Sequence, residues 1–152
     1  MLFDAYAEES LNGIGYVVQD IEQVAKYTEG LRTRLSELFT STHSRFGVSF
    51  TVPPEGYFQL EGHFGLIRAN LLYANEGSGT FGRVVLRKHT LDEQGREAWP
   101  EIWAFRILKD GDVWVSDKGP VLYNEWSTPS EHKFVAARRL VESIVLSAMK
   151  PR

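Results

Sequence analysis

The spacing of apolar positions changes character along the chain. From Tyr16 to Thr40, Val17, Val18, Ile21, Val24, Ala25, Leu31, Leu35, Leu38 and Phe39 recur three and four residues apart, which predicts a long helix with one apolar stripe. Gly30 lies inside that stretch at a cost of about 1 kcal/mol against Ala, so a break is allowed there. A shorter helical piece, Phe3 to Leu11, is expected to stop at Asn12–Gly13, and Ser41 to Ser44 ends the long helix. From Phe46 to Val52 the period falls to two, the signature of a strand. Pro53 to Gly56 is a turn. Tyr57 to Ala74 follows as one strand, or as two broken by a bulge at Gly62–Gly65.

The centre of the chain, Gly77 to Asp117, predicts three antiparallel strands. Thr80 to His89 alternates, with Val84, Leu86 and Lys88 on one side and Phe81, Arg83, Val85, Arg87 and His89 on the other. The polar run Leu91 to Glu97 is a hairpin loop, and Trp99 to Leu108 is rich in aromatic and branched residues that suit a strand. Asp110–Gly111 centres a tight turn into Val113–Ser116. Lys118 to Ser127 reads as a loop. Thr128 as N-cap, Pro129 at the first helical position and Glu131 in a capping box predict a last helix, with Phe134, Ala137, Val141, Ile144, Val145 and Ala148 buried. The fold class expected is α+β: a single domain over residues 1–152. It has an antiparallel sheet of about five or six strands in meander order, flanked by the two helices.

Pairing strands through their turns assigns faces. Leu72 falls opposite Arg83, Asn70 opposite Val85 and Arg68 opposite Arg87. Across the next loop Val85 should face Trp103, Arg83 Phe105, Arg87 Glu101 and His89 Trp99, while Ile107 should face Trp114. One face would then hold Ile67, Ala69, Leu71, Val84, Leu86, Ile102, Ala104, Leu108, Val113 and Val115, a floor for a helix. The other would hold Arg68, Asn70, Arg83, Arg87, His89, Trp99, Glu101, Trp103, Phe105 and Trp114. Tryptophan and arginine together offer flat apolar area, cation–π partners and forked donors for carboxylate or phosphate. The candidate binding residues are therefore Arg68, Arg83, Arg87, His89, Trp99, Glu101, Trp103 and Trp114. The competing expectation is that the first helix covers this face, with Arg87 paired to Glu101 beneath it.

Composition narrows the chemistry. A net charge of −3 gives no general attraction to nucleic acid or anionic membrane, and the absence of cysteine excludes thiol catalysis and thiolate metal sites. The acidic N-terminus and the lack of a long apolar run lead to the expectation of a cytoplasmic protein. Gly77-Ser78-Gly79-Thr80-Phe81-Gly82, with Val84 after it, resembles the glycine-rich hairpin of protein kinases, in which backbone amides lie over nucleotide phosphates. The resemblance covers only this hairpin and the next strand. Arg106 stands where that family has its phosphate-pairing lysine, no further kinase segment exists, and no ATP affinity is expected. His43, His63, His89 and His132 are scattered without metal-ligand spacing, so neither metal nor cofactor is expected. Glu61 and His63, two apart, are the acid/base candidates.

The functional expectation is a non-enzymatic binding module. It would engage a protein partner or anionic ligand, or a second copy of itself, through the Trp/Arg face. The alternatives are a small-molecule enzyme using Glu61 and His63, and, more weakly, single-stranded nucleic-acid binding.

Overall fold

A computed structural model describes residues 2–41, 47–77 and 79–150. Phe46, where the first strand was expected to start, the helix-ending residues Thr42 to Ser44, His43 among them, and Ser78 lie outside the described residues. Helix α1 spans Leu2–Ser41. The strands are β1 (Ser49–Thr51), β2 (Phe58–Gly62), β3 (Gly65–Glu76), β4 (Gly79–Lys88), β5 (Thr90–Leu91), β6 (Glu97–Ala98), β7 (Glu101–Leu108), β8 (Asp112–Trp114) and β9 (Val121–Asn124). Helix α2, Ser130–Met149, ends the described chain. Seven strands form one sheet in the order β1-β2-β3-β4-β7-β8-β9, and β5-β6 form a separate ribbon within the β4–β7 connection. Every pairing is antiparallel, as the short connections require. No helix among the described residues is long and apolar enough to cross a membrane.

Both helices lie on the same face of the sheet. Leu31, Leu35, Leu38 and Phe39 of α1 and Ala137, Leu140, Val141 and Ile144 of α2 share one core cluster with Phe58, Ile67, Ala69, Val84, Leu86, Phe105, Ile107 and Val113. The expectation that α1 covers the Trp/Arg face is thus overturned. The reason is visible at Gly82, where a side chain would meet Leu71, Val24 and Thr28 at 3.0 to 3.4 Å. The missing Cβ lets α1 lie close against β4 on the aliphatic side.

Several local expectations change with the structure. Helix α1 runs straight through Asn12–Gly13 and Gly30. At Gly30 the exchange is clear: a Cβ would stand 2.6 Å from Glu125 Oε1. Arg34 Nη1 binds that same oxygen at 2.8 Å in a pair of which only 13% and 8% of the side chains is exposed. Packing of the β9–α2 junction on α1 outweighs the propensity cost of glycine. The break between β2 and β3 is a hairpin with His63 and Phe64 in its turn, not a bulge, because Gly62 pairs with Gly65. Gly65 supplies the positive φ of 103°. Val121–Asn124, read as loop, is the seventh strand of the sheet. Thr128 does not cap α2. Its hydroxyl accepts from Asn124 N–H at 2.9 Å, and Pro129 holds the cap position without a side-chain bond.

Candidate functional site: the helix-free face of the sheet

Register decides which side chains share the face away from the helices. Residues directly opposite on neighbouring strands point the same way, so the cross-strand pairs form rows. One row is Gln59, Arg68, Arg87 and Glu101; the next is Asn70, Val85 and Ala104; the third is Leu72, Arg83, Arg106 and Trp114. The β3–β4 pairs agree with the sequence reading. Across the next loop the reading holds at Arg87 and Glu101 and, in line with the β5–β6 register, at His89 and Trp99. Beyond Arg87 and Glu101 the register shifts by one, Leu86 facing Trp103, with Ile102 the extra residue of a β-bulge.

That bulge reassigns one strand. Trp103 faces Leu86 and packs on the core, its indole N–H donating to Val115 C=O at 2.9 Å. Phe105 is fully buried in the same cluster. Both were expected on the mixed face, and Trp103 leaves the candidate site. Ala104 and Leu108, expected on the floor, turn to the helix-free side together with Arg106. Ile107 faces Val113 rather than Trp114. The other candidate residues, Arg68, Arg83, Arg87, His89, Trp99, Glu101 and Trp114, remain on this side or on the ribbon beside it.

Charge on the face divides into a neutralised half and an open half. Asp117, just after β8, receives Arg83 through two bonds, Nε to Oδ1 at 2.9 Å and Nη2 to Oδ2 at 2.7 Å. Arg106 Nε reaches the same Oδ1 at 2.9 Å, and Arg83 Nη2 also donates to Glu101 Oε1 at 2.8 Å. Hydrogen bonds from Arg83, and then from Arg106, hold the Asp117 carboxyl at about 2 against the burial that would raise it. The same bond to Asp117 is the first cause that raises Arg83 above the ordinary guanidinium range. Arg106 lies over the Phe81 ring at 4.3 Å, closing the face above that buried residue. This half is self-contained. Neither Asp117 nor Arg106 was among the candidates: the first sat at the edge of an assumed loop, and the second was hidden by the register slip.

Arg68 and Arg87 form the open half. They are direct cross-strand partners and both are exposed. Among the described residues neither lies within ion-pair distance of a carboxylate; Glu101, across from Arg87 on β7, and Asp117 both form ion pairs with Arg83. Arg68 is held in place nonetheless. Its Nε donates to Gln59 Oε1 at 3.2 Å, and its guanidinium stacks over Trp99 at 4.6 Å. Trp99 in turn meets His89 edge-on at 5.0 Å, and His89 Nε2 lies 3.0 Å from Glu97 Oε1. A cleft of about 630 Å³ opens next to Arg68, lined also by Gln59, Asn70 and the Pro53–Gly56 turn. Gly56, at φ 115°, makes that turn possible.

The remaining candidates do not assemble. Glu61 sits near the end of β2 and His63 in the following turn, and both side chains are exposed. Among the described residues no three His, Asp or Glu side chains gather as metal ligands. In the glycine-rich hairpin, Gly79 provides a φ of 112° and Gly82 the approach of α1, so two of its three glycines are required by the fold itself. Comparison with protein-family models, with curated proteins and with solved structures finds no match.

Proposed function

We propose that the protein is a binding module that engages an acidic segment of a protein partner, or a similar anionic ligand, through the helix-free face around Arg68 and Arg87. The carrying observation is the unneutralised pair itself. Like charges placed directly opposite in a sheet destabilise it, and here two arginines face one another, with Glu101, across from Arg87 on β7, in an ion pair with Arg83. A carboxylate ligand supplies what the fold withholds. Gln59 and Trp99 hold the Arg68 fork in one orientation, which lowers the ordering cost of a bidentate contact. The adjacent cleft gives a chain room to lie beside it. Exposed Leu72, at 54%, adds an apolar contact on the same face.

The test is calorimetric titration of the full chain with a glutamate-rich decapeptide. Binding should weaken as salt rises, because exposed charges are screened. Arg68→Ala/Arg87→Ala should weaken it by roughly 30-fold, the equivalent of about 2 kcal/mol expected of an interfacial hot spot. Equal affinity in the double variant contradicts the proposal. No geometric observation favours the acid/base reading of Glu61 and His63.

A further inference from the structure

Strand β3 outruns its neighbour. It extends from Gly65 to Glu76, yet β2 pairs only with Gly65 to Ala69. Tyr57 N–H donates to Ala69 C=O at 2.8 Å, and before Tyr57 the chain turns away at Gly56. That bond also gives the direction of the main-chain groups. Alternate residues of an antiparallel strand present both N–H and C=O to the same side, so Leu71, Tyr73 and Asn75 aim theirs at the side β2 has left. Leu66 C=O, which accepts from His89 N–H at 2.9 Å on the opposite side, agrees with this alternation. Among the described residues no strand pairs with Asn70 to Glu76 along that edge.

The edge also lacks the usual protection. Lysine, proline, a bulge or a covering loop normally keeps a free strand edge from pairing. Asn70-Leu71-Leu72-Tyr73-Ala74-Asn75-Glu76 has neither lysine nor proline, its pairing with β4 is regular, and Leu72 and Tyr73 are 54% and 40% exposed. Instead of a cover, a cleft of about 450 Å³ separates the edge from Thr28 and Arg32 of α1.

We infer that a second copy of this chain occupies the edge, β3 pairing antiparallel with β3 about a two-fold axis through Tyr73. The register follows from self-complementarity. With Tyr73 opposite Tyr73, Leu71 stands opposite Asn75 and Asn75 opposite Leu71, so every outward N–H and C=O of these residues finds a partner. Centring the axis on Leu71 would set Tyr73 against Ala69, whose carbonyl already serves Tyr57. Centring it on Asn75 would leave Leu71 unpaired. In the Tyr73 register Leu72 meets Ala74, an apolar pair, and Asn70 meets Glu76, so no like charges oppose. An axis perpendicular to the sheet keeps both α1 helices on one face and the Arg68/Arg87 face of each copy open. Two-fold pairing is also the commonest closed symmetry. The sequence expectation of self-association on the Trp/Arg face is thereby moved to the sheet edge.

Three measurements on the full chain decide it. Light scattering after size exclusion, at tens of micromolar, should give the mass of two chains. Tyr73→Pro removes one outward N–H that the protein's own sheet does not use, a substitution edge strands tolerate, and should give a monomer with an unchanged circular-dichroism spectrum. Tyr73→Cys should form a disulfide-linked dimer on mild oxidation, because facing Cα atoms in such a pair are about 5.5 Å apart, within disulfide range. The chain has no other cysteine to confuse the result, and exposed Leu146→Cys on α2 should not cross-link. A wild-type monomer overturns the inference. So does a dimer that Tyr73→Pro leaves intact, or one that Tyr73→Cys does not link.

Discussion

Arg68 and Arg87 on one side, and Arg83 and Arg106 on the other, carry the same charge to different ends. The latter two converge on Asp117 and contribute to folding, whereas the former face each other and, among the described residues, neither lies within ion-pair distance of a carboxylate. Replacing Arg87 with Gln removes, at an exposed position, both the opposition to Arg68 on β3 and the attraction to Glu101 on β7. Its melting temperature should therefore be nearly unchanged, within about 0.5 kcal/mol, as thermal unfolding will show. Asp117 behaves oppositely. Its folded carboxyl lies at about 2, below the usual 3.8, so its stabilising contribution is complete above about pH 4. It is lost as pH falls through 2. Because about a third of the side chain is exposed, screening reduces this contribution to about 1 kcal/mol. Asp117→Asn should lose that stability at neutral pH and show a shallower acid limb between pH 4 and 2 than wild type. A parallel pair of curves contradicts the assignment.

At the scale of elements, two glycines show why propensity alone misreads this chain. Gly82 admits α1 to β4, and Gly30 admits Glu125 to α1. Gly82→Val should cost about 1–3 kcal/mol by overpacking against Val24 and Leu71, measurable as a lower denaturation midpoint at constant slope. Gly30→Ala, stabilising in an isolated helix, should destabilise here because it presses on the oxygen that Arg34 holds. The alternation and turn chemistry of β3, β4 and the β3–β4 hairpin were readable because their register depends on one short connection. The β4–β7 register was not, since a bulge at Ile102 is invisible to counting across the loop and turns Trp103, Phe105 and Arg106 over together. Strand β9 escaped because Val121–Asn124 is short and flanked by Pro120 and polar residues, and a register shift at Val113/Trp114 interrupts its pairing with β8. The composition of the face was legible as Trp and Arg. Its division into a paired and an unpaired half was not, because that depends on where Asp117 comes to lie.

For the molecule as a whole, placing both helices on one side leaves a sheet with one packed and one open face, an arrangement antiparallel sheets sustain when long polar side chains cover apolar residues. Arg106 over Phe81 and Arg68 over Trp99 are such covers. The overall charge of −3 means that attraction of an acidic partner rests on the local pair and not on the general field. The most direct measurement is therefore one that locates binding on the surface. Heteronuclear NMR of the full chain, titrated with a glutamate-rich decapeptide, reports guanidinium Nε–H and indole N–H groups separately. The Arg68 and Arg87 signals and the Trp99 indole should shift together and saturably. The Trp103 indole and Arg34, on the packed side, should remain in place. Shifts centred on any other surface, or none up to millimolar peptide, would contradict the assignment of the helix-free face as the binding site.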